Sequence, residues 1–470
     1  MNNGIFEEFL YHVSDPLDEF RNARSVTEVR DQFLSLYVLQ FLSSRVSPLK
    51  VPHEVTVEFL LAAGETGIYG RLNEATKKLE RENLGLEGVF ANFDRPLNSG
   101  NLKFFSEKPL YRLLKKLNSF AWDKYPDAYP SVFNELIAHF AENSKRTEPN
   151  FHSPSAVVNL VAALLNPGPG MSLYDPVCGS GSLLVAAASR ADANGQGHIP
   201  RTLAGQDMSL DAWRITKQNL LIHQFFDADI QVGNVLEKPA NAGVDGFLKK
   251  FDIAVANPPF SLSWNRHEYE AHGYNRFKYG APPSQNADYA FIQHILESLN
   301  DKGRAAVIVP DGVLFRGATE QKIREGIVRD HHVAAVISLP PNLFYGTSIP
   351  TNILILRKKI AGDTILFIDG RQNLHVKNKR HKTIEQNELD EIVDIFKEAQ
   401  EVEGLSRKVS LKEVEENDFN LTVSRYISTV SVKEMTPVDQ LIQKQVELEA
   451  SLTSLQIEMK KLLKSAQKNV

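Results

Sequence analysis

A single cysteine, Cys178, stands in 470 residues, so no disulfide forms within the chain. Its thirteen histidines fall in none of the Cys/His spacings that suggest zinc. No apolar run approaches the length of a membrane span, and Met1-Asn2-Asn3-Gly4 opens no basic-then-apolar leader. A reducing, cytoplasmic setting off the membrane is therefore expected. Basic excess is missing too: 53 Lys and Arg face 58 Asp and Glu, a net charge of −5. A protein that grips duplex DNA unaided draws most of its affinity from phosphate neutralisation. Any such surface here is local, or a partner supplies the grip. The clearest basic cluster, Lys377-Asn378-Lys379-Arg380-His381-Lys382, reads equally as a solvated loop or a phosphate contact.

With 42% hydrophobic and 24% charged residues the chain is of globular composition, and its length suggests two or three units. Residues 1–145 read as helical. Ser25-Val26-Thr27-Glu28 has the spacing of a capping box, after which Val29, Phe33, Leu36 and Tyr37 share a face with Val26. Pro109 opens a segment with Leu110, Leu113, Leu114 and Leu117 on one side; Phe133, Leu136, Ile137 and Phe140 repeat the spacing. From about 150, short apolar runs bounded by Gly, Pro or Asp alternate with helical stretches: 171–174, 202–204, 230–232, 251–256, 305–309, 333–339 and 352–356. This alternation predicts an open, largely parallel sheet with helices on both faces, whose ligands bind outside the strands' carboxyl ends. In the tail, Leu441, Leu448, Leu455 and Leu462 recur every seven residues, with Leu452 and Met459 between them and Gln445 breaking the series. That pattern fits a short coiled coil or a helix folded back on its own domain.

Three motifs carry chemistry. Asn257-Pro258-Pro259-Phe260 follows the apolar run 251–256, so it sits at a strand's carboxyl end. The prolines fix φ and remove donors, leaving an amide oxygen, a free carbonyl and an aromatic face as a cradle for a planar NH₂ group. A strand-ending turn with a packed phenylalanine is the plain alternative. Asp175-Pro176-Val177-Cys178-Gly179-Ser180-Gly181 makes a glycine turn from strand to helix, without the P-loop lysine or the third dinucleotide glycine. Its acidic start suits a cofactor with a cationic amino-acid end. Asp207 closes the next strand, where this architecture bonds ribose hydroxyls; it is also placed to cap the helix beginning near Leu210.

Taken in order, these stretches resemble S-adenosyl-L-methionine-dependent DNA adenine-N6 methyltransferases, and most closely the methylase (M) subunits of type I restriction–modification systems. Phe151-His152-Ser153-Pro154-Ser155 resembles the family's aromatic-x-Thr-Pro segment over the methionine end of the cofactor. The likeness continues through 175–184, Asp207 with Asp211-Ala212-Trp213-Arg214, and Asn257 to Phe260. It extends to Ala290-Phe291-Ile292-Gln293-His294, 303–310, Leu339-Pro340-Pro341-Asn342-Leu343-Phe344 and Asp418-Phe419-Asn420-Leu421.

The resemblance implies a Rossmann-like α/β methyltransferase sheet over 146–428, an N-terminal helical domain over 1–145 and a helical or coiled-coil tail over 429–470 that docks a partner. It implies Asn257, Pro258, Pro259 and Phe260 as catalytic residues. Phe151, His152, Ser153, Pro154, Ser155, Asp175, Cys178, Gly179, Ser180, Gly181, Asp207 and Asn234 would hold the cofactor. The implied partners are double-stranded DNA, a specificity subunit flanked by two methylase subunits, and in some assemblies a restriction subunit. Two positions depart from the family: Asn234 stands where an aspartate is usual, and Ser153 replaces threonine. A protein glutamine-N5 methyltransferase, or a mainly architectural subunit, are the rival readings.

Overall fold

The computed structural model describes residues 3–21, 25–45, 47–93, 107–143, 152–194, 202–266, 274–344, 348–360, 362–376, 384–428 and scattered positions between 445 and 459. Among these, six α-helices form the N-terminal lobe: α1 (Asn3–Arg21), α2 (Val26–Ser44), α3 (Val57–Ala62), α4 (Ile68–Glu82), α5 (Lys108–Ser119) and α6 (Ala128–Asn143). The expected capping box opens α2, the Ser25 hydroxyl accepting from Glu28 N–H while the Glu28 carboxylate accepts from Ser25 N–H. That satisfies two donors the first turn leaves orphaned. Pro109 lies in the first turn of α5, and Leu110, Leu113, Leu114 and Leu117 are all buried. Each such side chain contributes about 1.5–3 kcal/mol on leaving water. By contrast α2 is not one-sided: it is buried all round from Gln32 to Leu42, the central rod of the helical lobe.

Among the described residues the sheet has nine strands, in the order β3-β2-β1-β4-β5-β7-β6-β8-β9. They are β1 (Leu173–Asp175), β2 (Leu203–Asp207), β3 (Asp229–Val232), β4 (Phe251–Ala256), β5 (Leu299–Pro310), β6 (Val333–Ser338), β7 (Thr351–Arg357), β8 (Thr364–Asp369) and β9 (Ser406–Ser410). Strands β1 to β5 pair in parallel. The sheet is largely parallel, as expected, but its other half is mixed: β6 and β8 pair in parallel, β7 runs antiparallel to both β5 and β6, and β9 antiparallel to β8. β6 and β7 are neighbours with no crossover helix among the described residues that join them, and strands joined in that way pair antiparallel. β8 and β9 have no counterpart among the predicted strands; Ser406-Arg407-Lys408-Val409-Ser410 is a polar edge strand with no apolar run to announce it.

Apolar residues on both faces explain the continuous hydrophobic strands. Ile253 and Val255 join a core with α7 (Ser155–Leu165), α8 (Ser182–Asn194) and the helix Gln386–Glu398. Ala254 and Ala256 face the opposite core, with the helices Asp288–Glu297 and Ala318–Arg329. The helical lobe joins the sheet through α9 (Leu210–Ile222), whose Ile215, Leu221 and Ile222 belong to the lobe's own core. Buried Gln218 on α9 donates to the Ser35 hydroxyl (3.0 Å) and the Val89 carbonyl (2.9 Å), a polar bridge between the two. The cap of α9 is Ser209, whose hydroxyl accepts from Ala212 N–H, so the capping role considered for Asp207 falls to a neighbour. No helix among the described residues is long and apolar enough to cross a membrane.

Candidate active site

Spatial order along the sheet, β3-β2-β1-β4, differs from chain order, and the reversal lies between β1 and β4. Ligands of such sheets bind where the order reverses. Asn234, Asp207, Asp175 and Asn257 follow or end these four neighbouring strands, so they form a row across the carboxyl edge. Three inter-strand steps make that row roughly 14 Å long. A cleft of about 530 Å³ runs along it.

At one end lies Asn257. Its Nδ2 donates to the Ser153 hydroxyl at 3.0 Å, while its Oδ1 is buried and has no hydrogen-bond partner among the described residues. A buried amide oxygen left unpaired costs about 1–3 kcal/mol, a cost removed by a ligand that donates to it. Pro258 and Pro259 also line the cleft, as does half-buried Phe260, whose ring meets Phe344 edge-on at 6.4 Å.

Asp175 lies mid-row and is 1% exposed; its Oδ1 accepts from Val177 N–H at 3.0 Å. Burial, reinforced by the charge of Asp207 and opposed by that hydrogen bond, pushes its carboxyl up to about 8. A cationic ligand beside it would supply the opposite charge that lets this carboxyl ionise. Asp207 is also raised by burial, against two backbone hydrogen bonds from Ser209 and Gly179, both 2.9 Å. A carboxylate offers about four lone-pair sites, so Asp207 keeps acceptor capacity for hydroxyls in the cleft. Asn234 lines the far end, its Oδ1 accepting from Leu236 N–H at 3.0 Å. The acceptor set thus matches a ligand with a cationic end and a hydroxylated middle.

His152, Ser153, Cys178, Gly179 and Ser180 line the same cleft. Burial drives His152 down to about 4, leaving a neutral ring whose Nδ1 lies 3.3 Å from both the Ser180 and Ser182 hydroxyls. Burial likewise pushes the Cys178 thiol well up, which makes it an inert packing group. Three expected residues are placed elsewhere. Gly181 (φ 75°) faces α9, where an added Cβ would stand 2.9 Å from Thr216 Cγ2; its glycine permits the approach of α8 to α9, not of a ligand. Pro154 precedes α7 and lies outside the cleft, because φ near −60° suits a helix start. Ser155, the first residue of α7, turns toward a separate cavity of about 770 Å³ between the helical lobe, α7, α8 and the helix Gln386–Glu398. Phe151, the whole basic cluster 377–382, and Leu441 and Leu462 of the heptad lie outside the described residues.

Sequence reasoning left Met208, Val235, Leu262, Phe291 and Phe344 out of the site, yet all five line the cleft. Phe291 and Phe344 belong to stretches that carry the family resemblance; apolar residues inside apolar runs give no sign that one edge faces a cavity.

The family model described as N-6 DNA Methylase matches residues 124–435. The chain is 27% identical over 398 residues to the type I restriction enzyme MpnII methylase subunit of Mycoplasma pneumoniae, covering 80% of this chain and 73% of that one. It is 31% identical over 379 residues to the MjaVII methylase subunit of Methanocaldococcus jannaschii, covering 77% of this chain and 62% of that one. Among solved structures, a type I restriction-modification system methyltransferase subunit from Streptococcus thermophilus superposes with a TM-score of 0.78 at 21% identity, over 90% of this chain and 100% of that one. The chain thus spans between three fifths and three quarters of the length of these curated relatives.

Proposed function

The chain belongs to the N-6 DNA methylase family, and from that premise we propose that it methylates the N6 amine of adenine in double-stranded DNA, as the modification subunit of a type I restriction–modification system. One observation carries the reading: the buried, unpartnered Oδ1 of Asn257 at the end of a cleft that also holds Asp175 and Asp207. S-adenosyl-L-methionine, when bound, supplies a methyl group already activated on a sulfonium.

The chain's own residues orient and exclude. Asp175 would hold the cationic end of that molecule, Asp207 would accept from its ribose, and Asn234 with Met208 and Val235 would flank its adenine. Asn257 Oδ1 and the Pro258 carbonyl accept the two N–H bonds of the target amine. Those bonds draw the nitrogen lone pair out of the ring plane and toward the methyl donor, so alignment and electrostatics supply most of the rate. Deprotonation beforehand is unnecessary, since the methylated ammonium is strongly acidic. Ser153 steadies Asn257 through the 3.0 Å hydrogen bond. An adenine within a duplex must leave the stack to reach the turn, and Phe260 then offers its ring, a contact worth about 1–3 kcal/mol.

Residues 1–145, 146–428 and 429–470 act in this reading as helical lobe, methyltransferase domain and docking tail. A net charge of −5 favours delivery of DNA by a specificity subunit, with two methylase subunits flanking it and a restriction subunit joining some assemblies. Leu448, Leu452, Leu455 and Met459 are all more than half exposed on the helical tail, an apolar seam that suits such a partner. The test is labelled-methyl transfer to mixed DNA with and without a candidate specificity subunit, followed by nucleoside analysis. N6-methyladenine is expected; methylcytosine, or label in protein alone, would overturn the assignment.

A further inference from the structure

Directly after Phe260 the backbone does something a serine rarely does: Ser261 sits at φ 53°, in the left-handed region. Such a residue persists only where its surroundings hold it. The holder here is Asp288, the first residue of the helix Asp288–Glu297, whose Oδ1 accepts the Ser261 N–H at 3.0 Å. One residue on, Ala287 N–H donates to the Leu262 carbonyl at 2.8 Å, so two bonds pin the same point.

Asp288 is itself fixed. Its side chain is 3% exposed, and its second oxygen is ion-paired with Arg316, which also engages Glu320, 4% exposed. Any side chain at Gly312 would collide with that guanidinium, so the loop is shaped to seat it. The Arg316 carbonyl in turn accepts from buried Arg324 (2.9 Å), whose Nε donates to the Phe419 carbonyl (2.7 Å). A buried carboxylate with this much support is not a surface ornament; breaking one member would leave the other charges uncompensated.

We propose that Asp288, oriented by Arg316, is a positioning residue of the methyl-transfer site: it holds Ser261 left-handed and thereby sets how Asn257 to Phe260 face the cleft. The inference rests on reading that turn as the amine-binding element. A role in stability alone would make Asp288 variants weak in everything. A role through the backbone of Ser261 predicts relief when that backbone no longer resists.

The experiment uses the full chain, with its specificity partner where activity requires one, and compares D288A, D288N and D288A/S261G. In D288A, kcat should fall at least about tenfold while the Kd for S-adenosyl-L-methionine stays within about twofold. Hydrogen exchange of the peptide 258–266 should rise. In D288A/S261G, glycine takes the positive φ without strain, and kcat should recover by at least about threefold. D288N keeps the volume and an acceptor oxygen, so it should fold and lose protection only in part. Unchanged kcat in D288A, no recovery in the double variant, or lost protection with full turnover in D288N would each overturn the proposal. If the wild-type chain methylates no DNA, the functional reading fails by itself. Exchange at 258–266 still decides the clamp, and unaltered protection in D288A refutes it.

Discussion

Asp175→Asn tests the centre of the cleft most directly. In the free protein Asp175 holds its proton up to about pH 8 because it is buried. At pH 7 only about a tenth of the molecules then carry the anion that a cationic ligand needs, and ionising the rest costs about 1.4 kcal/mol. Affinity for S-adenosyl-L-methionine should therefore rise about tenfold between pH 7 and 9, levelling off above pH 8, with nearly one proton released per ligand bound at pH 7. The ligand's own amino group also titrates in this range, but that contribution is common to the Asn variant, so the difference between the two proteins isolates Asp175. Calorimetry in two buffers of unlike ionisation enthalpy reads both quantities. The variant should bind more weakly at pH 9 and release fewer protons at pH 7.

Stability moves the opposite way. A carboxyl whose pKa is raised on folding stabilises the native state below its unfolded value, near 4, and loses that contribution as pH rises through about 8. Ligand-free wild type should thus lose stability across that window, at up to about 1.4 kcal/mol per pH unit, and the Asn variant should show a flatter profile. Equal proton release and equal pH profiles in the two proteins would refute the assignment of Asp175 to the cationic end.

Asn257→Ala should keep cofactor affinity within about twofold and lose at least about a hundredfold in kcat, since it removes an acceptor the reaction needs and the cofactor does not; near-normal turnover in a methylation assay would sink the cradle. Gly181→Ala drives a Cβ to 2.9 Å from Thr216 Cγ2 at a positive φ, so urea unfolding should show a loss of about 1–3 kcal/mol. Deleting 431–470 should weaken association with a specificity subunit and leave solo cofactor binding intact; unchanged pull-down of the partner would remove the tail from the assembly. Replacing both Leu448 and Leu455 by Asp should reproduce that loss by charging the exposed seam.

Much of the candidate cleft was legible because its lining residues sit in rare local patterns. Two consecutive prolines after an asparagine, a glycine at 179 and a carboxylate closing a strand are each local features, and such features are written in the chain itself. The helical spacing of Leu110 to Leu117 and the capping box at Ser25 are equally local. What the chain could not announce depends on distance. That Gly181 serves the contact of α8 with Thr216, that Ser153 rather than solvent receives the Asn257 amide, and that β7 and β9 run against their neighbours are decided by residues tens to hundreds of positions away.

By itself, then, the sequence determined which residue types stand at the strand ends and turns, and through its family likeness the kind of reaction to expect of them. Tertiary structure alone decided which of those groups share one cleft, left Asn257 Oδ1 without a partner, and raised Asp175 by burial. It also set Asp288 beneath Ser261 from a separate helix. Unpaired acceptors, desolvated carboxyls and clamped backbones are properties of surroundings, and surroundings exist only once the chain has folded.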